Sequence, residues 1–210
     1  MSDIKIGIYG GTFDPVHLGH IRSAFAFLTA CGLDRLFIMP NYMPPHKALC
    51  PGDDPQMRLQ MLKIAFAPLP FYNDKIIISD FEVRNSEISY TYKTLEHFKW
   101  ISSDLTLLCG TDNFLNLEYW KNSERIFELA KIAHIVRPGT YDESDDILRK
   151  KEMYRERYGA RIIDVPMAPI EISSTDIRER IKRGDGTYMM LPPDVREFID
   201  KYDLYGEHNV

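Results

Sequence analysis

Short apolar runs alternate along this chain with longer stretches of helical spacing. Residues 4–9 are apolar and β-branched apart from Lys5 and Gly7, and they lead into Gly10 and Gly11, the pattern of a buried parallel strand entering a tight turn. Ile21, Ala24, Phe25 and Leu28 recur at helical spacing, so a helix is expected to about Cys31, with Gly32 closing it. Further strands are expected at 35–39, 75–79, 105–109, 132–136 and 161–165. A helix with proline at its start is expected over 55–66, and another follows Ser89, Tyr90 and Thr91 through Leu95 and Phe98. Phe114, Leu117 and Trp120 are spaced as on one helical face. The run 142–159 is acidic first and basic later, as a solvated helix prefers. Residues 81–88 read as a polar loop or a short edge strand, and the tail, 191–205, as a last amphipathic helix. Strand, helix, strand is the unit of a parallel sheet with right-handed crossovers, so the fold class is α/β.

Composition narrows this picture. The 210 residues suit one α/β domain over 1–210 with a sizeable core, and 44% hydrophobic with 27% charged content is ordinary for a folded protein. A net charge of −5 gives no general attraction to nucleic acid or anionic membrane, so neither is expected as a partner and positive charge for a phosphorylated ligand must be local. Cys31, Cys50 and Cys109 fit neither a disulfide framework nor a CxxC metal site. Reduced thiols in a cytoplasmic protein are the simplest account. The amino terminus runs directly into the first strand, so no signal peptide is expected, and no run has the length to span a bilayer.

The chemistry concentrates in residues 6–22, IGIYGGTFDPVHLGHIR. His17 and His20 are three residues apart and would share one face of a helix's first turn, beside unpaired N–H groups and the positive dipole end. A strand, a glycine turn and two imidazoles at a helix start make a site for phosphate oxygens, although the same histidines would also serve in a capped surface turn. The run is neither GxGxxG nor GxxxxGK[ST]. Ligands of parallel sheets bind at the carboxyl edge. That edge makes Lys47, in the proline-rich loop after the second strand, a candidate phosphate partner as well as a solvated loop charge. Arg58, in the first turn of its helix, opposes the dipole unless it meets an anion or points to solvent. Asp112, just past the fourth strand, suits ribose hydroxyls or a helix cap. Trp120 packs in the core or offers its ring to a flat heterocycle. Ser173, Ser174 and Thr175 before Ile177 read as an N-cap, and with Arg178 they also form a second donor cluster suited to the far end of a triphosphate.

The run from Gly11 to His20 matches the GxFDPxHxGH signature of the nucleotidyltransferase superfamily without a gap. Six further segments follow in order: PPHK from Pro44, SYTYKTL from Ser89, GTDNFLNLEYW from Gly110, RPG from Arg137, ISSTDIR from Ile172 and LPPDV from Leu191. Over essentially its full length the chain resembles the bacterial nicotinate-nucleotide adenylyltransferases. The resemblance implies a doubly wound parallel sheet of Rossmann-like nucleotidyltransferase type with a small C-terminal helical portion. It implies that Gly10, Gly11, Thr12 and Phe13 line the nucleotide loop and that His17 and His20 meet the ATP phosphates. Asp112 would lie near ribose, and Ser173, Ser174 and Arg178 would hold the outgoing pyrophosphate. Tyr90, Thr91, Trp120, Lys121 and Arg58 would form the acceptor side and Lys47 would belong to the ATP side, with Lys47 and Arg58 near phosphates. Nothing is inferred from Thr140, which follows RPG.

The implied reaction is in-line attack by the phosphate of nicotinate mononucleotide on the α-phosphorus of ATP, giving deamido-NAD and pyrophosphate without a covalent intermediate. Magnesium is expected with ATP, held mainly by the ligand, because no carboxylate cluster marks a protein metal site. Assembly into a homo-oligomer is left open. Rival readings are a phosphopantetheine or cytidylyl transferase, a nucleotide-sensing protein that has lost turnover, and a class I aminoacyl-tRNA synthetase fragment. The last would need a KMSKS-like motif, which is absent. Preference for the acid over the amide mononucleotide rests on the resemblance alone.

Overall fold

The structure is a computed structural model that describes residues 3–45, 49, 53–136, 145–168 and 170–206. Six strands form a parallel sheet: β1 (Ile6–Gly11), β2 (Arg35–Pro40), β3 (Ile76–Ile78), β4 (Leu105–Cys109), β5 (Ala130–Val136) and β6 (Ile162–Pro166), in the spatial order β3-β2-β1-β4-β5-β6. The helices are α1 (Leu18–Ala30), α2 (Pro55–Phe66), α3 (Phe81–Asn85), α4 (Thr91–Lys99), α5 (Thr111–Leu115), α6 (Ser123–Leu129), α7 (Asp145–Tyr158), α8 (Ser174–Arg183) and α9 (Pro193–Lys201), with a 3-10 turn at Leu117–Tyr119. The sheet grows outward from β1 to β3 and then, in the opposite direction, from β4 to β6. Connections leaving β1 and β4 therefore diverge to opposite faces and open a crevice at their carboxyl ends.

The two-residue period of the strands sorts the core into two layers. Ile6 and Ile8 face a cluster containing Leu95, Phe98, Phe114, Phe127 and Tyr154. Leu36 and Ile38 face another containing Phe27, Leu62, Phe66, Ile177 and Val195. Gly7 faces the layer opposite Ile6 and Ile8, where a Cβ would lie 2.3 Å from Leu33 Cδ1 and 2.9 Å from Phe27 Cε1. Glycine is required there because α1 packs directly on the backbone of β1.

Four expectations are corrected. Gly10 and Gly11 are not the turn: they are the last residues of β1, paired with Met39 and Pro40, and the turn begins after them, with Phe13 at φ 54°. Residues 81–85 form α3, closed by Ser86 in the left-handed conformation, because a helix this short carries too few positions to show a period. Ile88 nevertheless makes an isolated parallel bridge to Met43. The stripe at Phe114, Leu117 and Trp120 is not one helix. The backbone breaks at Asn116 and turns left-handed at Asn122, although Phe114 and Leu117 are buried as expected. The tail helix ends at Lys201, and Tyr205, at φ 66°, turns back toward the sheet.

Candidate active site

The loop after β1 carries the densest chemistry. Phe13, Asp14 and His17 are buried, and His17 is the N-cap of α1 with an extended backbone. The His17 N–H donates to His20 Nδ1 at 3.2 Å. An Nδ1 that accepts must be unprotonated, so in neutral His20 the proton sits on Nε2, which is then a donor. The two rings stack with centroids 3.7 Å apart, and the edge-on Phe13 ring lies 4.9 Å from His20. Burial holds the His17 pKa down at about 4, so its ring is neutral near pH 7. Its Nδ1 is buried with no hydrogen-bond partner among the described residues. A Cβ at Gly19 would stand 2.9 Å from His17 Nδ1 and Cε1, which is why the residue just before His20 has no side chain.

Helix α8 docks on this loop from about 160 residues downstream. Ser173 caps the helix, its Oγ accepting from the Asp176 N–H at 3.1 Å. Ser174 Oγ donates to the Pro15 carbonyl at 3.0 Å. Arg178 Nη1 donates to the Asp14 carbonyl at 2.6 Å, and Nη2 to Thr175 Oγ1 at 3.2 Å. Buried Ile177 fixes which face of α8 turns inward. The paired imidazoles and the serine–arginine turn thus meet on one loop at the rim of one sheet.

Arg58 requires a correction. It is 1% exposed, and its guanidinium is shared among both Asp53 carboxylate oxygens and the carbonyls of Thr12, Asn41 and Tyr42 at 2.7–3.2 Å. Every one of these bonds is internal to the protein, so Arg58 braces the loops after β1 and β2 and does not face a ligand. The sequence showed a cation at a helix start but not the acceptors around it. Burial raises the Asp53 pKa, and the hydrogen bond and charge of Arg58 oppose that rise.

A cavity of about 720 Å³ opens at the carboxyl ends of β1 and β4. Gly10, Gly11, Thr12, Asp112, Tyr90, Thr91, Trp120 and Lys121 all line it. Asp112 is exposed there and makes no side-chain cap to α5. Tyr90 is the N-cap residue of α4, and Ser89 does not cap: its Oγ accepts from the Tyr42 N–H at 2.9 Å. Lys150 pairs with Glu118, and its Nζ lies 5.5 Å from the Tyr119 ring centroid, bracing the turn that delivers Trp120. His17, His20, Ser173, Ser174 and Arg178 are not lining residues of this cavity. They gather on the loop that continues from Gly11, the last residue of β1, and Thr12, which both line the cavity wall. Lys47 and the segment from Arg137 to Thr140 lie outside the described residues.

Among the lining residues that were missed, three polar ones bond to one another. Buried Glu82 accepts from Asn41 Nδ2 at 2.9 Å and from Thr94 Oγ1 at 2.6 Å. Asn41 directly follows β2, so the edge argument applied to Lys47 could have found it; Glu82, inside an unrecognised short helix, gave no signal. Among the described residues no group of three or more His, Cys, Asp and Glu is arranged to hold a metal ion, and no helix is long and apolar enough to cross a membrane.

Comparison with known proteins places the chain in a family and matches its fold. The sequence profile of the cytidylyltransferase-like family matches residues 8–180. A Clostridium perfringens protein named "Probable nicotinate-nucleotide adenylyltransferase" is 37% identical over 203 residues, 96% of this chain and 98% of its own. A Clostridium kluyveri protein of the same name is 36% identical over 205 residues, covering 96% and 99%. The Plasmodium falciparum nicotinic acid mononucleotide adenylyltransferase complexed with NaAD superposes with a TM-score of 0.78 at 21% identity, over 96% of this chain and 97% of that one. By sequence over nearly its whole length, the chain belongs to the nicotinate-nucleotide adenylyltransferases of the cytidylyltransferase-like family.

Proposed function

We propose that the protein transfers the adenylyl group of ATP to nicotinate mononucleotide, releasing pyrophosphate and forming deamido-NAD. The observation that carries this reading is the docking of α8 on the histidine loop. Arg178 and Ser174 bond to Asp14 and Pro15, three and two residues before His17, while the start of the same loop walls the cavity that Trp120 and Thr91 line. A triphosphate lying along the loop would have its α-phosphate near the cavity mouth and its far end near Arg178.

Both reactants are anions, so the task is alignment and charge stabilisation without a protein nucleophile. The acceptor phosphate oxygen attacks the α-phosphorus in line as the bond to the bridging oxygen of pyrophosphate breaks. His20 Nε2–H and the N-terminus of α1 stabilise charge on the phosphate oxygens, and Arg178 receives the leaving group. Gly10 and Gly11 let backbone approach the nucleotide, a Cβ at Gly10 having nothing within 4 Å. Trp120 stacks on the pyridine ring, and Asp112 accepts from ribose hydroxyls. Among the described residues no side-chain group is arranged to hold a metal ion, so magnesium would be carried by the substrate and would supply charge neutralisation at the phosphates.

The test is pyrophosphate release from ATP with a panel of acceptors. Nicotinate mononucleotide is expected to give the highest kcat/KM, above nicotinamide mononucleotide and phosphopantetheine. Faster turnover of phosphopantetheine would overturn the acceptor assignment, and ATP binding with no release for any acceptor would overturn catalysis itself.

A further inference from the structure

Tyr205 lies four residues past the end of α9, in the turn that brings the chain back to the sheet. Its hydroxyl donates to Asp14 Oδ1 at 2.5 Å across 191 residues of sequence. Asp14 is 4% exposed, and its other carboxylate oxygen, Oδ2, stands 3.7 Å from Arg178 Nη1. That separation is too long for a hydrogen bond. One Nη1 proton goes instead to the Asp14 backbone carbonyl at 2.6 Å. A buried carboxylate next to a guanidinium ordinarily closes onto it as a bidentate pair, the strongest arrangement the two groups can make. Here the Tyr205 hydroxyl engages one of the two oxygens that such a pair needs. Burial and the Asp14 charge push the Tyr205 pKa far up, so the hydroxyl remains a donor at all working pH values.

The consequence falls on Arg178. A guanidinium closed onto a carboxylate commits its N–H donors to it, whereas one held at 3.7 Å, still paired by charge, keeps donors for the oxygens of a second anion. We propose that Tyr205 is a positioning residue of the phosphate end: by tethering Asp14 it prevents a closed Asp14–Arg178 pair and keeps the guanidinium available to the leaving pyrophosphate. This rests on the assignment of Arg178 to the leaving group. It extends the site to the last described turn of the chain, a segment in which the sequence showed only an amphipathic helix.

The experiment measures steady-state turnover and product inhibition by inorganic pyrophosphate in four proteins: Tyr205→Phe, Asp14→Asn, the double variant and Arg178→Ala. In Tyr205→Phe the KM for ATP and the Ki for pyrophosphate are expected to rise together by about tenfold, the size of one hydrogen bond to a charged group, with the KM for the acceptor unchanged. Adding Asp14→Asn removes the competing charge and is expected to bring the pyrophosphate Ki back toward that of the parent. A role confined to stability predicts a lower Tm with no change in Ki, and no rescue by Asp14→Asn; either result overturns the proposal. Arg178→Ala separates the two levels. If it leaves pyrophosphate inhibition intact, the leaving-group assignment fails; if it weakens inhibition while Tyr205→Phe does not, only the inference about Tyr205 fails. The 15N resonances of the Arg178 guanidinium in the unliganded protein provide a reading independent of turnover. They are expected to shift in Tyr205→Phe and to return in the double variant, and unshifted resonances contradict the tether.

Discussion

The two halves of the site are built differently. The phosphate end is cross-braced around a buried loop, residues 13–17: Arg58 holds the Thr12 carbonyl, Arg178 the Asp14 carbonyl, Ser174 the Pro15 carbonyl, and His17 and His20 stack on one another. In the acceptor cavity Asp112 and Lys121 are exposed, and Tyr90, Thr91 and Trp120 are half-buried. The Glu82, Asn41 and Thr94 bonds form its polar brace. Groups that stabilise developing charge must be in place before the reaction, because reorganising them would cost what they contribute. A cavity that selects an acceptor works by contact area and tolerates more freedom. The expected division is that lesions at the phosphate end reduce turnover or stability, while lesions in the cavity change the acceptor KM.

The largest effect is expected from Arg58→Met, which strands the buried Asp53 carboxylate and three carbonyls. It should destabilise the fold by about 3 to 5 kcal/mol in denaturant unfolding. A loss confined to acceptor affinity would instead return Arg58 to the ligand role first expected of it. Next, His20→Ala is expected to reduce kcat by roughly a hundredfold or more, about 2.7 to 4 kcal/mol of barrier, without unfolding. Near-parental turnover would remove His20 from the mechanism.

The third prediction concerns pH. The His17 pKa lies below its unfolded value, about 4 against 6.5, so the unfolded chain takes up the proton first as acid is added. The stabilisation is fully present above pH 6.5 and is lost as the pH falls toward 4, by about 3 kcal/mol at most. His17→Gln should flatten that part of the stability profile, and an unchanged slope would show that His17 is not neutral in the fold. Smaller again, Trp120→Ala is expected to raise the acceptor KM by about tenfold or more with kcat at saturation nearly intact. A fall in kcat alone would erase the proposed division between the two halves.

The same contrast explains what was legible in the sequence. β1, α1 and the run GGTFDPVHLGH declare themselves locally, because strand period, helical spacing and a ten-residue signature each lie within one window. The α8 cluster was legible for the same reason. Arg58 was misread because its role depends on Asp53 and on carbonyls from two loops that meet it only in space. Glu82 and Tyr205 stayed invisible because their partners, Asn41 with Thr94 and Asp14, are brought to them by the sheet and not by sequence spacing. Local pattern thus located the groups that the proposed function assigns to phosphate. The braces holding those groups needed the fold.

The most direct measurement follows the imidazole 15N resonances of His17 and His20 and the guanidinium 15N resonances of Arg178 during titration with a non-hydrolysable ATP analogue. One triphosphate spanning the loop predicts that all three side chains shift along a single binding curve, and that pyrophosphate alone shifts Arg178. An analogue that saturates the histidines while leaving Arg178 unmoved would contradict the account.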